Sequence, residues 1–427
     1  MTETSASRLQ LDPLFADAET NAEGSAPAGD TPWLSGLMIA VLWLTPLVAY
    51  VGSKAFAPIT GVAGLACAAV AVRRMRVTPI LLALTALLAW ALLSMIWSPV
   101  HPPAHWGRYK DLEDFTALKL VIQLPLYLAF VVAAGRVSAS GARRALIGLG
   151  VGLLIVGVIV LIEGVRGQSF YLWLRQALGE TFRPDLARRN VARAAYPMAL
   201  LLGPSLLILS GRKLMAGALA IVTFVGALLL NVDAPLVAVV AGAAAWALVA
   251  FGGRFGPAAL AVGVAGYFAL APIAVRLGAL ASHGHGPGIG KESWGARAQI
   301  WTFVSERVFQ KPLAGWGLDA SRVFLDDIPL HPHDAALQLW LELGAPGAAM
   351  AALIAVIAFG AVETLRRRDP QAAGAAAAAA AAYVVIGALS FGVWQEWWLA
   401  LGALAVAVVR LVDVSRRPAA TWPPQIS

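Results

Sequence analysis

Long apolar runs separated by short polar connections extend along nearly the whole chain after residue 32. A transmembrane helix needs about 20 mostly apolar residues to cross the roughly 30 Å hydrocarbon layer of a bilayer. Runs of this kind begin near Trp33, Ala55, Thr78, Ala117, Ala145, Ala194, Leu214, Ala234, Gly256, Leu337, Ala372 and Gln395. The pattern predicts an all-α, polytopic membrane protein with about twelve transmembrane helices.

These runs and their connections divide the chain into five expected segments. We expect a disordered cytoplasmic tail at residues 1–32, transmembrane helices 1 to 9 at 33–274, a long loop at 275–336, transmembrane helices 10 to 12 at 337–413, and a cytoplasmic tail at 414–427. The loop is predicted to contain a helix from Gly295 to Gln310, ended by Lys311-Pro312. Its apolar side would consist of Ala298, Ile300, Trp301, Val304, Val308 and Phe309.

Basic residues mark one side of the membrane. They follow every second predicted helix, as Arg73, Arg74 and Arg76; Arg136, Arg143 and Arg144; Arg212 and Lys213; Arg254; Arg366, Arg367 and Arg368; and Arg416 and Arg417. Lys and Arg collect in cytoplasmic loops. The pattern therefore predicts that both termini are cytoplasmic and that the long loop lies on the outer side.

Composition supports the membrane assignment. The chain is 59% hydrophobic and 13% charged, whereas a soluble domain carries about 25% charged residues, so a soluble protein is excluded. The net charge of +8 is explained by the cytoplasmic connections and predicts no nucleic-acid partner. The single cysteine, Cys67, lies in an apolar run, which excludes an intramolecular disulfide and a cysteine metal site.

Arginines on the outer side depart from the charge rule. The outer connection at 164–193 contains Arg166, Arg175, Arg183, Arg188, Arg189 and Arg193. A guanidinium offers a planar fork of donors that fits phosphate oxygens, so these residues are candidates for holding a phosphorylated lipid. They could equally contact anionic lipid headgroups. Arg193 is the stronger candidate, because it stands at the predicted mouth of the sixth helix.

The long loop carries a second group of candidates. Arg276 and Arg297 are outer arginines, and His331-Pro332-His333-Asp334 precedes the tenth helix. Histidine can exchange a proton near neutral pH, which suits activation of a hydroxyl. Two histidines beside an aspartate could also bind a metal, although this signature is weak.

Two acidic residues have simpler interpretations. Asp233 could orient an arginine or could simply end a helix, and the sequence does not separate the two. Glu396 lies among Trp394, Trp397 and Trp398, a pattern typical of an aromatic belt at the membrane interface.

Three motifs resemble a known family. Arg297, Trp301, Pro312, Gly315 and Gly317 form R-x3-W-x10-P-x2-G-x-G, and HPHD-x7-ELG-x2-G follows from His331 to Gly347. With RRNVARAAYPMALLL from Arg188, these segments resemble the O-antigen ligase and polymerase superfamily, most closely the O-antigen ligases. Two positions depart from that family, which commonly has Asn at 334 and Ser-Arg at 233–234. Arg193 or Arg276 could replace the missing arginine.

The resemblance implies an inverting, metal-independent glycosyl transfer without a cofactor, at the periplasmic face of the bacterial inner membrane. The donor would be a glycan on undecaprenyl pyrophosphate, and the acceptor a sugar hydroxyl of lipid A-core. His333, Arg193 and Arg297 would be catalytic. The residues expected to bind substrate are Arg276, Arg189, Arg188, His331 and Asp334.

Two other functions stay open from the sequence. An O-antigen or exopolysaccharide polymerase would use the same donor with a growing glycan as acceptor. A secondary transporter is less favoured, because transporters place ionisable residues near the middle of their spans. Here the interiors of the predicted spans are almost free of charge.

Overall fold

In a computed structural model, the protein is described over residues 32–102, 114–180, 183–278 and 292–417, and these ranges contain helices and no strand. The predicted tails lie outside these ranges, apart from Pro32 and residues 414–417. The helices are α1 (Pro32–Val51), α2 (Phe56–Arg74), α3 (Pro79–Leu93), α4 (Thr116–Ala134), α5 (Ala139–Arg166), α6 (Ser169–Ala177), α7 (Ala187–Ala192), α8 (Ala195–Ile208), α9 (Lys213–Leu229), α10 (Asp233–Phe251), α11 (Phe255–Arg276), α12 (Glu292–Gln310), α13 (Ala335–Arg368), α14 (Pro370–Leu389) and α15 (Glu396–Arg416).

Eleven helical segments in the described ranges are long and apolar enough to span a membrane, so the fold class is confirmed as a polytopic all-α membrane protein. The one predicted span outside this set is the seventh, which corresponds to α9 and has 17 residues. At 1.5 Å per residue it is about 25 Å long, slightly short of the bilayer core. Arg212 and Asn231 lie just outside its two ends and limit its apolar length.

Side-chain caps and proline begin several of these helices. The Thr78 hydroxyl accepts a hydrogen bond from the Leu81 amide at 3.3 Å, and Pro79 is the first residue of α3. Asp369 caps α14 in the same way, with Pro370 at the first position. A capping oxygen satisfies an amide that has no partner within the helix. Tight connections of this type keep neighbouring spans antiparallel.

Small residues allow α14 to pack closely in the bundle. Residues 375–379 are all alanine and all buried. A Cβ added to Gly242 on α10 would lie 3.2 Å from the Ala378 carbonyl oxygen, and one added to Gly203 on α8 would lie 2.8 Å from the Ala378 Cβ. In lipid, helices associate through such close backbone approach. The Ala-rich run therefore places α14 between α8 and α10.

The basic end of the bundle is joined by ion pairs. Arg416 at the end of α15 pairs with Asp369 between α13 and α14. Arg417 pairs with Asp413 at 2.6 Å, and Arg366 pairs with Glu363 at 2.7 Å. The opposite end carries the connections 183–194, 292–334 and 389–396, which build the polar site described below.

The helix predicted in the long loop is confirmed as α12, with one face buried. Ile300, Trp301 and Val304 pack in a cluster with Val275 of α11 and Leu337 of α13. Phe309, predicted on or near this apolar side, lies at its edge. Its ring is 40% exposed and lies beneath the Arg276 guanidinium, 4.7 Å from its centroid.

Candidate active site

The turn at residues 331–334 is held from several sides just before α13. The Trp301 indole N–H donates to the Pro332 carbonyl at 3.0 Å. Asp334 caps α13, because its Oδ1 accepts from the Leu337 amide at 2.8 Å and from the Tyr267 hydroxyl at 2.9 Å. These contacts fix the position of the residue between them, His333.

Asp334 faces inward from this turn and is only 3% exposed. Burial raises the pKa of its carboxyl from 3.8 to about 6, against the opposing effect of its hydrogen bonds. The structure therefore gives Asp334 a helix-capping position and places none of its oxygens in an open site.

His331 supports the turn as a neutral imidazole. Its Nδ1 accepts from the His333 backbone N–H at 3.2 Å, so its one proton lies on Nε2. Nε2 is 3.0 Å from the Gln395 side-chain nitrogen, which is also a donor, while the Gln395 side-chain oxygen is buried without a hydrogen-bond partner in the described part of the chain. An amide oxygen facing this N–H would complete the bond. Burial lowers the pKa of His331 to about 3, helped by His333 and Arg322, which keeps the ring uncharged.

One ring nitrogen of His333 bonds to the protein backbone, and the other is basic and unpaired in the described ranges. Its Nδ1 is 2.8 Å from the Ser390 carbonyl oxygen, which can only accept, so the proton lies on Nδ1 and Nε2 carries the lone pair. No group in the described ranges forms a hydrogen bond with that Nε2. The pKa of His333 is lowered mainly by burial and further by Arg297 and Arg189, although the Ser390 carbonyl raises it. The neutral, basic form therefore predominates at neutral pH.

Three arginines gather near the Tyr196 phenol, and two of them also lie near this histidine. Arg189, Arg193 and Arg297 all lie within electrostatic range of the Tyr196 phenol, and Arg189 and Arg297 also act on His333. Within the described residues, none of the three is paired with a carboxylate. Like charges held together without a counter-ion repel one another. The cluster is therefore suited to an anion with several oxygens.

Asp233 helps to position one of these arginines. Its Oδ2 accepts from the Trp294 indole N–H at 2.9 Å. The Arg297 guanidinium lies over the Trp294 ring, 5.3 Å from its centroid, at a cation–π distance. Of the two interpretations left open by the sequence, the contacts favour the one in which Asp233 orients an arginine, acting through Trp294.

The structure leaves two candidate arginines outside the cluster. Arg188 donates to the Leu229 carbonyl at 3.0 Å, at the end of α9. Arg276 lies over Phe309, which is 12 residues beyond Arg297 on α12, a separation of about 18 Å along a helix axis. The other arginines of the 164–193 connection include two that pair locally, Arg175 with Glu180 and Arg183 with Asp185.

The glycines and the Glu of the motifs form a scaffold for the site. Glu342 is fully buried and accepts from Asp319 N at 3.0 Å, Ser321 Oγ at 2.8 Å, Gln338 Nε2 at 3.0 Å and Trp394 Nε1 at 2.6 Å. Gly315, Gly317 and Gly344 have φ of 66°, 95° and 66°. A Cβ at Gly315 would lie 2.5 Å from the Glu342 carbonyl oxygen. These residues bring the loop against α13 at a distance that only glycine permits.

Glu396 forms an ion pair that the sequence did not predict. It pairs with Lys119 of α4 at 2.7 Å, where the sequence suggested only an interfacial aromatic belt. This ion pair joins α4 to the start of α15, next to the connection that carries Ser390 and Gln395.

Three residues of the site had no assigned role in the sequence analysis: Ser390, Tyr196 and Phe391. Ser390 acts on His333 through its backbone carbonyl, which no side-chain pattern reveals. Tyr196 could have been found, because Arg189, Arg193 and Tyr196 have the spacing of one helical face. In the described ranges, no group of three or more His, Cys, Asp and Glu residues is placed to hold a metal ion.

The fold and the site define the class of protein: a polytopic helical membrane protein with a histidine and an arginine cluster at one end of the bundle. Residues 218–352 match the family model described as O-antigen ligase, which confirms the resemblance drawn from the motifs.

Curated relatives carry names consistent with this family. "Putative polysaccharide ligase" of Rickettsia typhi is 28% identical over 136 residues, which cover 29% of this chain and 33% of the relative. The protein of the same description in Rickettsia conorii is 28% identical over 130 residues, covering 27% and 31%. The chain thus matches about a third of the length of these relatives.

Proposed function

We propose that this protein is a glycosyltransferase of the O-antigen ligase type, which moves a glycan from undecaprenyl pyrophosphate to a sugar hydroxyl of lipid A-core. One observation carries the proposal: the imidazole of His333, whose Nε2 is unpaired, lies near Arg189 and Arg297, which share the Tyr196 phenol as a neighbour with Arg193. No carboxylate in the described ranges pairs with these three arginines. A basic nitrogen next to an anion site is the arrangement that transfer from a lipid-linked diphosphate requires.

In the proposed reaction, His333 Nε2 takes the proton of the acceptor hydroxyl as its oxygen attacks the anomeric carbon. The bond between that carbon and the diphosphate oxygen breaks, and the diphosphate leaves with the electron pair. General-base help of this kind is worth typically about 10²–10⁴-fold in rate. Attack from the side opposite the leaving group inverts the anomeric configuration.

The arginines serve the leaving group. Negative charge grows on the diphosphate as the bond breaks, and preorganised guanidinium donors stabilise that charge more than they stabilise the substrate. Arg297 would hold one phosphate, with its orientation set by Trp294 and Asp233. No nucleotide is part of the proposed step, because the energy is stored in the diphosphate linkage, and in this proposal the arginines neutralise the leaving group.

We further propose that the basic end of the bundle is cytoplasmic and that the site opens to the periplasm. The six basic connections support this orientation. Reporters active only in the periplasm should stay silent when fused after Arg254 or Arg368, and should be active when fused near Gln176. An active fusion after Arg254 would reverse the orientation and remove the site from the proposed substrates.

Deletion of the gene, followed by gel electrophoresis of the lipopolysaccharide, tests the activity in the cell. The proposal expects loss of polymer on lipid A-core together with accumulation of lipid-linked polymer. Lipid A-core capped with single repeat units would instead identify a polymerase. Unchanged lipopolysaccharide would contradict both activities. The names of the relatives, which read "Putative polysaccharide ligase", favour the first outcome.

A further inference from the structure

Tyr196 brings a hydroxyl group to the arginine cluster. Its phenol lies within electrostatic range of Arg189, Arg193 and Arg297. The same hydroxyl is 3.5 Å from the Ser390 Oγ, and the carbonyl of Ser390 is the partner of His333 Nδ1 at 2.8 Å. One residue, Ser390, therefore contacts both the tyrosine hydroxyl and the histidine, which brings the hydroxyl close to the base as well as to the arginines.

Helical spacing and ring packing fix where this hydroxyl lies. Arg189 lies in α7 and Tyr196 in α8, and the two residues between these helices, Arg193 and Ala194, keep helical backbone angles. Spacings of four and three residues therefore put Arg189, Arg193 and Tyr196 on one side of this segment. The Tyr196 ring packs on Phe391, with centroids 4.6 Å apart and planes 58° apart. A ring held in this way has little freedom to carry its hydroxyl elsewhere.

The hydroxyl is also available to a ligand. Its contact with Ser390 is at the long limit for an O–H···O bond, which is normally near 2.7–2.8 Å. In the described ranges the phenol has no carboxylate partner, although three arginines lie within electrostatic range of it. A phosphate oxygen bound to those cations would be a better acceptor than the serine hydroxyl, because bonds to charged acceptors are shorter and stronger.

We propose that Tyr196 is a ligand of the diphosphate, donating its O–H to a phosphate oxygen of the leaving group. The role in turnover rests on the proposed function. As the bond from the anomeric carbon to the diphosphate oxygen breaks, the electron pair stays on that oxygen, and the Tyr196 hydrogen bond strengthens. Tyrosine keeps its proton throughout, while the acceptor's proton goes to His333. The residue is thus catalytic through charge stabilisation.

The chain offers a matched control in Tyr383. This tyrosine is also buried in the bundle and stacks on Trp398, with centroids 4.5 Å apart. Its hydroxyl has no hydrogen-bond partner in the described ranges, and no arginine acts on it. Tyr196→Phe and Tyr383→Phe therefore remove the same atom from similar surroundings, and only the first removes it from the cations.

Binding of inorganic pyrophosphate to the purified full-length chain tests the proposal without requiring turnover. Isothermal titration of the wild type should give a measurable affinity, Tyr196→Phe should weaken it about 10-fold or more, and Tyr383→Phe should leave it within about 2-fold, as expected for loss of one bond to a charged group. Equal affinities in all three proteins, or no binding by the wild type, would overturn the proposal.

Turnover supplies a second measurement. With a lipid-linked donor, Tyr196→Phe should lower kcat about 10- to 100-fold and change the donor KM by less than about 3-fold, because the bond strengthens as charge develops. Free pyrophosphate already carries the charge that the donor gains only as its bond breaks, so weaker pyrophosphate binding and a nearly unchanged donor KM are expected together. A rise in KM with unchanged kcat, or an equal loss in Tyr383→Phe, would overturn the catalytic role. Weakened pyrophosphate binding in a chain whose wild type transfers no glycan would contradict the proposed function and still support Tyr196 as a diphosphate ligand.

Discussion

Replacing His333 by asparagine removes the imidazole and keeps the turn that carries it. The backbone at this position is left-handed, with φ of 58°, a conformation that asparagine adopts more readily than most residues. The asparagine amide can also donate to the Ser390 carbonyl, which lies 2.8 Å from Nδ1 in the wild type. The variant therefore keeps the turn and the contact with Ser390, and it loses the basic lone pair of Nε2.

The size of the expected loss follows from that single missing lone pair. General-base catalysis contributes about 10²–10⁴-fold, equivalent to about 2.7–5.4 kcal/mol of transition-state free energy at 1.36 kcal/mol per tenfold. The arginine cluster is untouched, so the donor KM should change little. We expect His333→Asn to lower kcat/KM into this range while the melting temperature in detergent stays close to that of the wild type.

The pH profile separates a base from a structural residue. Burial and the nearby arginines hold the pKa of His333 below its usual 6.5, so wild-type kcat/KM should be constant near neutrality and fall only as the pH drops below 6.5. The value of kcat/KM falls towards low pH because the protonated ring has no lone pair with which to accept a proton. Because the pKa of Asp334 is about 6, the profile should be measured in an Asp334→Asn background. Wild-type activity of His333→Asn would refute the assignment. So would a fall of kcat/KM at low pH that persists when His333→Asn is added to the Asp334→Asn protein.

Three further substitutions test the surroundings of the site. Arg297→Lys should lower the rate of transfer about 10-fold or more, because lysine lacks the bidentate fork of arginine. Arg307→Lys on the same helix should have little effect. Full activity of Arg297→Lys would show that the site needs only a positive charge at this position. Burial raises the pKa of Asp334 from 3.8 to about 6, so ionisation destabilises the fold as the pH rises through that window. Asp334→Asn should accordingly raise the melting temperature at pH 7.5, with the gain vanishing near pH 4, and a constant gain would contradict this. A Cβ at Gly344 would lie 2.4 Å from the Leu313 carbonyl oxygen, so Gly344→Ala should destabilise the fold by about 1–3 kcal/mol. Gly360→Ala places its Cβ in open space and should not destabilise the fold. Equal melting temperatures of the two variants would argue against the strained contact.

The sequence was sufficient to predict the membrane fold, because the apolar length needed to cross a bilayer leaves few alternatives. It also located α12, whose apolar spacing matches a helix with one buried face. The boundary of α5 was missed by six residues: the predicted span begins at Ala145 and the helix at Ala139. Arg143 and Arg144 lie inside the helix, and charge at a helix end has the same hydropathy signal as a loop.

The individual site residues were harder to separate from their neighbours. Arg188 and Arg189 are adjacent in sequence, yet one donates to the Leu229 carbonyl and the other lies near His333. Helix rotation decides between them, and a run of arginines does not encode it. The roles of Ser390 and Glu342 depend on long-range contacts, through a backbone carbonyl in one case and a buried carboxylate in the other.

Glycan transfer by the purified protein, in detergent with a metal chelator present, tests the central claim most directly. The donor is a glycan on undecaprenyl pyrophosphate, the acceptor is lipid A-core, and the measured quantities are the linked product, the released polyprenyl diphosphate and the configuration of the new bond. The account predicts one diphosphate released for each glycan transferred, with the anomeric configuration inverted. Absence of transfer, retention of configuration, or loss of activity on chelation would contradict it.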